Sequence, residues 1–282
     1  MKTTNGVATA IALVFGWLQP GMASAPGEEI LTPAADIVQP APRVLEKAAG
    51  EIQTALQALD RDLADLARRL ATLDPASTEA REGLRQVSAK HPFVTDLCFV
   101  SPTGLMTVVE PAAYQHFEGT DISQQAQVIA VQQTRQPVMS QSFQSVEGFP
   151  GVDLEYPVLD GGTFKGSVSA FFRPDAFIGG IAAPLGAGSP LGLLAMQNDG
   201  TSLYDSDPAQ VGKNLFTDPL YQPFPELIEL GRAVAAQPSG SGRYAFYATG
   251  TTNRVEKQAH WTTVSLHGTE WKIVEIQPLP SP

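Results

Sequence analysis

The sequence predicts an α+β protein in which a long N-terminal helix precedes two similar modules. Each module is predicted to be an antiparallel sheet of about five strands flanked by helices. Three observations predict this class: a leucine repeat typical of a long helix, a strand-turn-strand motif that occurs twice, and a long hairpin that closes each copy. The copies lie about a hundred residues apart, which is the size of a small domain and exceeds the periods of solenoid repeats. The repeat therefore indicates duplication of one folding unit.

The long helix is predicted from apolar residues that alternate in spacing between four and three. They are Ile52, Leu56, Leu59, Leu63, Leu66, Leu70 and Leu73. Such a seam is typical of helices that pair or that lie along a narrow apolar surface. We expect a helix over 43–75, ended by Asp74-Pro75 because the residue before proline is pushed out of the α region. Two alternatives stay open: a homodimer through helix 45–73, or packing of the seam against the chain's own modules.

The repeated motif consists of a short apolar strand, a turn, a second strand and then a glycine followed by a short polar residue. The copies are Asp96–Val109 with Gly119-Thr-Asp-Ile-Ser123, and Leu191–Tyr204 with Gly212-Lys-Asn-Leu215. Asp121 and Asn214 occupy matching places in the two copies. Short polar side chains there commonly close an Asx turn or cap a helix, so we predict a structural role for both.

The closing hairpins are predicted from glycine turns between long apolar strands. One runs from Glu155 to Phe172 around Asp160-Gly-Gly162, and the other from Trp261 to Ile276 around His267-Gly268. Glycine supplies the positive φ that two-residue hairpin turns require. In the first hairpin Asp153 and Glu155 alternate with Val152, Leu154 and Tyr156, so the acids are expected to face solvent.

The remaining segments define the predicted domain limits. Residues 76–188 form the first module, with helices at about 78–90 and 123–135 and another helix beginning at 173–180. A Gly, Pro and Ala linker at 183–190 leads into the second module, 189–278, whose covering helix is predicted at 225–236. Residues 279–282 are a tail.

The N-terminus resembles an export signal, with Lys2, an apolar stretch and small residues near Ala25. We predict a signal peptide over 1–25, either cleaved after Ala25 or Ala23 or retained, and a proline-rich tether over 26–42. No other apolar segment approaches the length of a membrane span. The expected protein is therefore soluble and exported, periplasmic or secreted.

Composition excludes several function classes. The 282 residues carry a formal charge of −11, which argues against a nucleic-acid surface because phosphate arrays attract basic patches. Four histidines without metal-like spacing and a single cysteine predict no metal site and no disulfide. No nucleophile or phosphate-loop motif has its required context, so we expect neither an enzyme nor a cofactor.

The order of these parts resembles a double Cache sensor region, the PAS-like extracytoplasmic unit of chemoreceptors, histidine kinases and cyclase regulators. The parts that carry the resemblance are the long helix, the Phe99–Val109 hairpin with Gly119–Ser123, and Tyr156–Val168. The second module adds Asp199–Asp205, Val211–Leu215 and Gly268–Ile273. The likeness covers about residues 43–277, and it rests on the order of motifs that are individually of low specificity.

The resemblance implies a sensor that binds a small molecule in its first module and signals through a partner, for example a membrane-bound receptor or kinase. Members that bind amino acids carry an Arg and aromatic residues in the helix after the Gly-x-Asp motif, and an Asp late in the last hairpin. This chain has Gln124, Gln125 and Gln127 in the first place and Ala170-Phe-Phe172 in the second. An α-amino acid ligand is therefore not expected.

Polar and aromatic side chains of the first module are the candidates for its pocket. They are Tyr114, His116, Gln127, Gln141, Phe143 and Tyr156. Amides can orient a small, weakly charged ligand while rings supply apolar area. Ordinary core packing is the alternative for the rings. The alternative function is a structural or interaction module without ligand that uses the heptad helix for pairing.

Overall fold

The computed structural model describes residues 42–188 and 190–280. The predicted signal peptide, its cleavage positions and the tether up to residue 41 lie outside the described residues, as does Ser189 at the predicted module boundary. The helices are α1 Arg43–Leu70, α2 Thr78–Lys90, α3 Ala126–Thr134, α4 Pro174–Gly186 and α5 Pro225–Ala236. None of these helices is long and apolar enough to cross a membrane.

Helix α1 lies along both sheets and buries its leucine seam against them. Leu56, Leu59 and Leu63 are fully buried within the chain, in one core with side chains of both modules. Packing on the chain's own modules is therefore the alternative that the structure bears out. The homodimer through helix 45–73 is not supported, because pairing would require this seam to be exposed. The helix ends three residues before Leu73, where Leu73 N donates to Leu70 O in a turn.

The first sheet contains six strands, all paired antiparallel. They are β1 Val94–Val100, β2 Met106–Glu110, β3 Val138–Met139, β4 Phe143–Gln144, β5 Pro150–Asp160 and β6 Thr163–Phe172. The order is β2-β1-β6-β5-β3, with β4 also pairing with β5. Strands β3 and β4 are separated by Ser140 to Ser142, of which Ser140 N still donates to Asp153 O of β5 at 2.8 Å.

The second sheet repeats this topology with five strands in the order β8-β7-β11-β10-β9. Its strands are β7 Gly192–Gln197, β8 Ser202–Asp205, β9 Ser239–Tyr247, β10 Arg254–Leu266 and β11 Thr269–Pro278. Both closing hairpins have their predicted turns, with positive φ at Gly161, Gly162, His267 and Gly268. The predicted α+β class with two PAS-like modules is confirmed.

Each sheet has an inner face toward α1 and an outer face under its own covering elements. The inner faces share one core, to which Phe172 of the first sheet and Trp271 of the second contribute. The outer faces have separate cores, one around Cys98 and Val128 and another around Phe246 and Trp261. The outer faces are therefore where the two modules can differ without disturbing α1.

Helix α4 extends through part of the segment that the sequence analysis assigns to a linker. Phe177, Ile178 and Ala182 form a buried stripe that packs into the shared core, and the helix continues to Gly186. Pro184 is accommodated because it lies near the exposed end of the helix. The linker prediction for 183–186 is therefore wrong, since burial of an apolar stripe outweighs the local proline signal.

Candidate functional site

The outer face of the first sheet contains three buried acidic side chains. Asp96 on β1 is 1% exposed, and Asp153 and Glu155 on β5 are 3% and 0% exposed. The prediction that Asp153 and Glu155 face solvent is wrong. Both faces of this sheet are covered, so Val152 and Leu154 join the shared core while the alternating acids lie beneath the elements that include α3.

Hydrogen bonds satisfy only part of this acidic cluster. Asp153 accepts from the Ser169 hydroxyl and from Gln127 Nε2 at 3.3 Å, and Glu155 Oε1 accepts from Ser167 Oγ at 2.5 Å. Asp96 Oδ2 and Glu155 Oε2 are buried without a hydrogen-bond partner. A buried acceptor left unpaired costs about 1–3 kcal/mol, and more if it is charged.

Burial shifts the titration of all three acids in the same direction. Desolvation raises the pKa of Asp96 well above its usual value, and the negative charges of Glu147 and Asp153 raise it further. Desolvation likewise raises the pKa of Glu155, with the charge of Asp153 adding to the effect. The pKa of Asp153 is also raised by burial, against the lowering effect of its bonds from Ser169 and Gln127. A cation placed among these groups would favour their ionised forms.

The cluster borders a small recess of about 20 Å³ on the outer face. Its walls include Asp96, Asp153, Phe143, Phe171 and Glu147. This volume suits about one water molecule. No lysine, arginine or histidine is among its described lining residues. The recess is therefore acidic and aromatic, with no basic side chain to receive an anion.

One turn forms the rim of the recess. Glu147 and Val146 belong to the segment between β4 and β5, where Ser145 Oγ donates to Phe149 O at 2.8 Å. Gly148 has a φ of +93° in this turn, a conformation that side chains with a Cβ rarely adopt. Arg173 lies over the Phe149 ring at 5.5 Å and pairs with Asp175 rather than with the acidic cluster.

One of the six predicted pocket residues lines this recess, and another contacts an acid beside it. Phe143 lines it beside Phe171, with ring centroids 5.9 Å apart, and Gln127 on α3 contacts Asp153. Both come from segments that cover the outer face, which explains their convergence.

The other four candidates lie elsewhere. Tyr114 and His116 are on a 3-10 helix at Ala112–Phe117, where their rings contact Phe117. Gln141 is exposed between β3 and β4. Tyr156 extends from the inner face, and its hydroxyl donates to Asp60 Oδ1 on α1 at 2.7 Å. Tyr156 is therefore a contact between sheet and helix and does not line the recess.

Asp121 and Asn214 make matching contacts in the two modules. Asp121 Oδ1 accepts from Ser123 N at 2.9 Å, and Asn214 Oδ1 accepts from Phe216 N at 3.0 Å. Each residue also forms an isolated bridge to the segment after the first turn of its module. This is Asx-turn geometry.

The sequence analysis did not single out Asp96, Glu147, Ser167 or Ser169. A signal for them existed in β6, where Ser167 and Ser169 alternate with apolar residues at the positions that meet the acids of β5. Hydroxyls in an otherwise apolar strand indicate a polar partner in the interior. Among the described residues, no group of three or more acidic, histidine or cysteine side chains could hold a metal ion.

Comparisons with known proteins agree with this architecture. Residues 54–174 match the family described as HK/GC/chemotaxis protein-like, sensor domain. An extracellular ligand binding receptor from Desulfohalobium retbaense is 32% identical, with a TM-score of 0.71 over 83% of this chain. The match covers 39% of that receptor, so this chain spans about two fifths of its length. None of the curated proteins compared matches this chain.

Two further solved structures share the fold at lower identity. The ligand-binding domain of the Pseudomonas aeruginosa PAO1 chemoreceptor PctC, in complex with GABA, is 16% identical with a TM-score of 0.57. That of the Pseudomonas fluorescens chemoreceptor CtaA, in complex with L-alanine, is 16% identical with a TM-score of 0.58. Each match covers 83% of this chain, and 96% and 93% of the respective domains. Residues 54–174 thus match the HK/GC/chemotaxis sensor family, and the described residues have the double Cache fold of the similar ligand-binding domains.

Proposed function

We propose that this chain is an exported sensor domain, periplasmic or secreted, that binds a small positively charged ligand in the outer recess of its first module. The observation that carries the proposal is the buried acidic cluster of Asp96, Asp153 and Glu155, two of whose oxygens have no partner. A cation with hydrogen-bond donors would satisfy those oxygens and neutralise their charge.

The lining of the recess favours an amine that carries no carboxylate nearby. The described walls offer acidic, aromatic and apolar groups together with the neutral polar side chains of Gln125 and Ser169, and no basic side chain. A ligand carboxylate would therefore face like charges, which costs free energy in a buried site. The ligands of PctC and CtaA, GABA and L-alanine, have an amino group that such a cluster could receive, but also a carboxylate for which this recess has no counterpart.

Binding requires the recess to enlarge, since about 20 Å³ holds no organic cation. The rim turn at Ser145–Phe149 is the segment whose displacement would open it. A ligand that binds only the open form shifts the population toward that form by its differential affinity. We therefore propose that the described state is the closed one.

Helix α1 offers a route by which such a shift reaches the second module. Asp60 on α1 accepts from Tyr156 of the first sheet and lies 2.5 Å from His267 Nε2 in the turn of the second. Gln53 exchanges two hydrogen bonds with the backbone of Ser265, and Leu45 N donates to the Glu275 carboxylate. Displacement of the first sheet would act on all these contacts. The recipient of the signal would be a membrane-bound receptor or kinase partner.

A thermal-shift screen of amines tests the proposal. Amines should raise the melting temperature of the wild type in proportion to the logarithm of concentration, as expected for a ligand of the native state. The Asp96→Asn variant keeps side-chain volume but removes a carboxyl that can ionise opposite a bound amine, and it should lose the shift. Glu256→Gln, at an exposed acid of β10, is the matched control and should keep the shift.

The screen also distinguishes ligand binding from the alternative function, a structural or interaction module without ligand. A folded protein that responds to no amine and instead forms a stable complex with another protein would overturn the ligand-binding proposal. The structural alternative has lost one of its supports, because the heptad seam that it would use for pairing is buried in this chain.

A further inference from the structure

The second module contains a larger cavity on its own outer face. Its volume is about 450 Å³, within the range of small-molecule sites. Polar walls come from Asp205, Lys257 and Tyr244, and apolar walls include Leu215, Leu227 and Phe246. The cavity lies beneath α5 and beside β9 and β10, so it occupies the side of its sheet that corresponds to the acidic recess of the first.

Lys257 is a buried cation without an acceptor. It is 8% exposed on β10, and among the described residues its Nζ has neither a hydrogen-bond acceptor nor an ion-pair partner. Its nearest favourable contact is the Phe246 ring, whose centroid lies 5.4 Å from Nζ. The Nζ atom opens onto the cavity and has no acceptor within the described chain, so it is free to donate to an anion that enters there.

The other buried lysine shows what a satisfied ammonium looks like in this fold. Lys272, 2% exposed on β11, donates to Thr263 Oγ1 and Glu270 Oε2 at 3.0 Å each and to Gln237 O at 3.3 Å. The contrast indicates that the lack of a hydrogen-bond acceptor for Nζ is particular to Lys257 at the cavity and is not a general property of buried lysines in the second sheet.

Asp205 faces the same cavity with the opposite charge. One of its oxygens accepts from Asp207 N at 2.7 Å, and no salt bridge joins it to Lys257 within the described chain. Burial raises the pKa of Asp205 to about 7, although Lys257 lowers it. Desolvation correspondingly lowers the pKa of Lys257. The charges of Asp205 and Lys257 therefore interact electrostatically, although the two side chains do not form a salt bridge.

Neighbouring polar groups are already engaged. Asp207 accepts from Ala209 N and from Gln210 Nε2, both at 3.2 Å. Gln210 in turn accepts from the Tyr221 hydroxyl at 3.2 Å. The groups left to meet a ligand are Lys257, the second oxygen of Asp205 and the Tyr244 hydroxyl.

We propose that this cavity is a second binding site, which takes a small carboxylic acid bearing an amino or hydroxyl donor and an apolar side chain. The ligand carboxylate meets Lys257 and the Tyr244 hydroxyl, its donor meets Asp205, and its apolar part packs against Leu215, Leu227 and Phe246. This site goes beyond the proposed function of the first module, and its ligand class differs because its walls carry both charges.

Four probes of nearly the same shape test these contacts by titration calorimetry on the whole chain. L-leucine carries a carboxylate and an ammonium, leucic acid a carboxylate and a hydroxyl, isocaproate a carboxylate alone, and isoamylamine an ammonium alone. We expect the wild type to bind L-leucine or leucic acid and to bind isocaproate more weakly. Isoamylamine has no carboxylate to meet Lys257, so any binding of this amine should be unchanged in Lys257→Met. The better of the first two identifies the donor that Asp205 prefers.

Variants assign the binding to this cavity. Lys257→Met should weaken the preferred acid by about tenfold to a hundredfold, the loss typical of a hydrogen bond to a charged group. Asp205→Asn, which keeps the side-chain shape, should weaken it as well and provides a second test if the first variant folds poorly. Lys165→Met, at an exposed lysine of the first module, should bind as the wild type does.

Two results would overturn the proposal: no heat of binding for either donor-bearing acid, or equal affinity in the wild type and both cavity variants. The first module is tested separately, because Asp96→Asn should weaken amine binding about tenfold or more and leave leucic acid or L-leucine binding unchanged. Failure of one site can therefore be told from failure of the other.

Discussion

The two modules have the same strand order but different outer faces. The first buries three carboxylates beside a recess of about 20 Å³, whereas the second holds one unpaired lysine and one half-buried aspartate around a cavity of about 450 Å³. Strand order and the turn residues Asp121 and Asn214 are common to both. In this chain the shared strand order places a pocket on the outer face of each sheet. The charge of each pocket is determined by a few strand residues whose side chains lie on that face.

The shared inner core ties these different pockets together, and breaking it should have the largest effect. Leu59→Asp buries a carboxylate at a fully buried site that contacts both modules' core. We expect a loss of about 4 kcal/mol or more in the free energy of unfolding. Because the two modules share this core, they should unfold together in a single cooperative transition with denaturant.

Gln57→Asp, at an exposed position of the same helix, is the control for this variant and should be nearly neutral. Separate unfolding transitions for the two modules of Leu59→Asp would contradict the view that α1 makes them one cooperative unit.

The buried lysines of the second module should respond oppositely to removal of their charge. Lys272→Met leaves the acceptors of Thr263, Glu270 and Gln237 without their donor and should cost about 1–3 kcal/mol. Lys257→Met removes an unpaired buried ammonium and should leave the free energy of unfolding equal or higher. Equal destabilisation by both substitutions, measured by chemical denaturation, would show that Lys257 has partners of its own.

The acidic cluster should make the first module sensitive to alkaline pH. Burial raises the pKa of Glu155 above its unfolded value, so the native state holds a proton that the unfolded state has released. Its contribution to stability is present at low pH and is lost as pH rises through the raised pKa. Melting temperature should therefore fall between about pH 5 and about pH 8.

Glu155→Gln should remove much of that fall, giving a gain of several degrees at about pH 8 and little change at about pH 5. Glu256→Gln serves as the exposed control. A pH profile that Glu155→Gln leaves unchanged would mean that this carboxyl does not titrate abnormally.

The smallest effect is expected where the modules are most alike. Asp121→Ala and Asn214→Ala each remove an Asx-turn acceptor and should lower the melting temperature slightly and by similar amounts. Thermal unfolding of the two variants measures the difference between them. A loss in one variant several times that in the other would break the structural equivalence of the two turns.

Periodicity predicted much of the fold from the sequence. The four-three spacing of leucines located α1, and glycine turns located both closing hairpins. The seam could not say whether its partner was a second chain or the chain's own sheets, because a narrow apolar stripe fits both. Only the tertiary packing of Leu59 and its neighbours decides that question.

The site was less predictable for a related reason. Alternation along β5 separates Asp153 and Glu155 from Val152 and Leu154 but does not reveal whether α3 covers the second face. Tyr156 was a pocket candidate as an aromatic residue of the first module, but alternation places it on the face of Val152 and Leu154, where its hydroxyl reaches α1. Gln127 and Phe143 remain predictions as ligand contacts, although they lie near the recess on covering segments, and the apolar residues around Asp96 gave no sign that it is buried there.

The most direct measurement of the central claim is calorimetric titration of the wild type and Asp96→Asn with a panel of primary, quaternary and polyvalent amines. We expect saturable binding of at least one amine by the wild type, weakened about tenfold or more when the Asp96 carboxyl is replaced by an amide. Folded wild-type protein that binds no amine, or binds each one no more tightly than Asp96→Asn does, would contradict this claim.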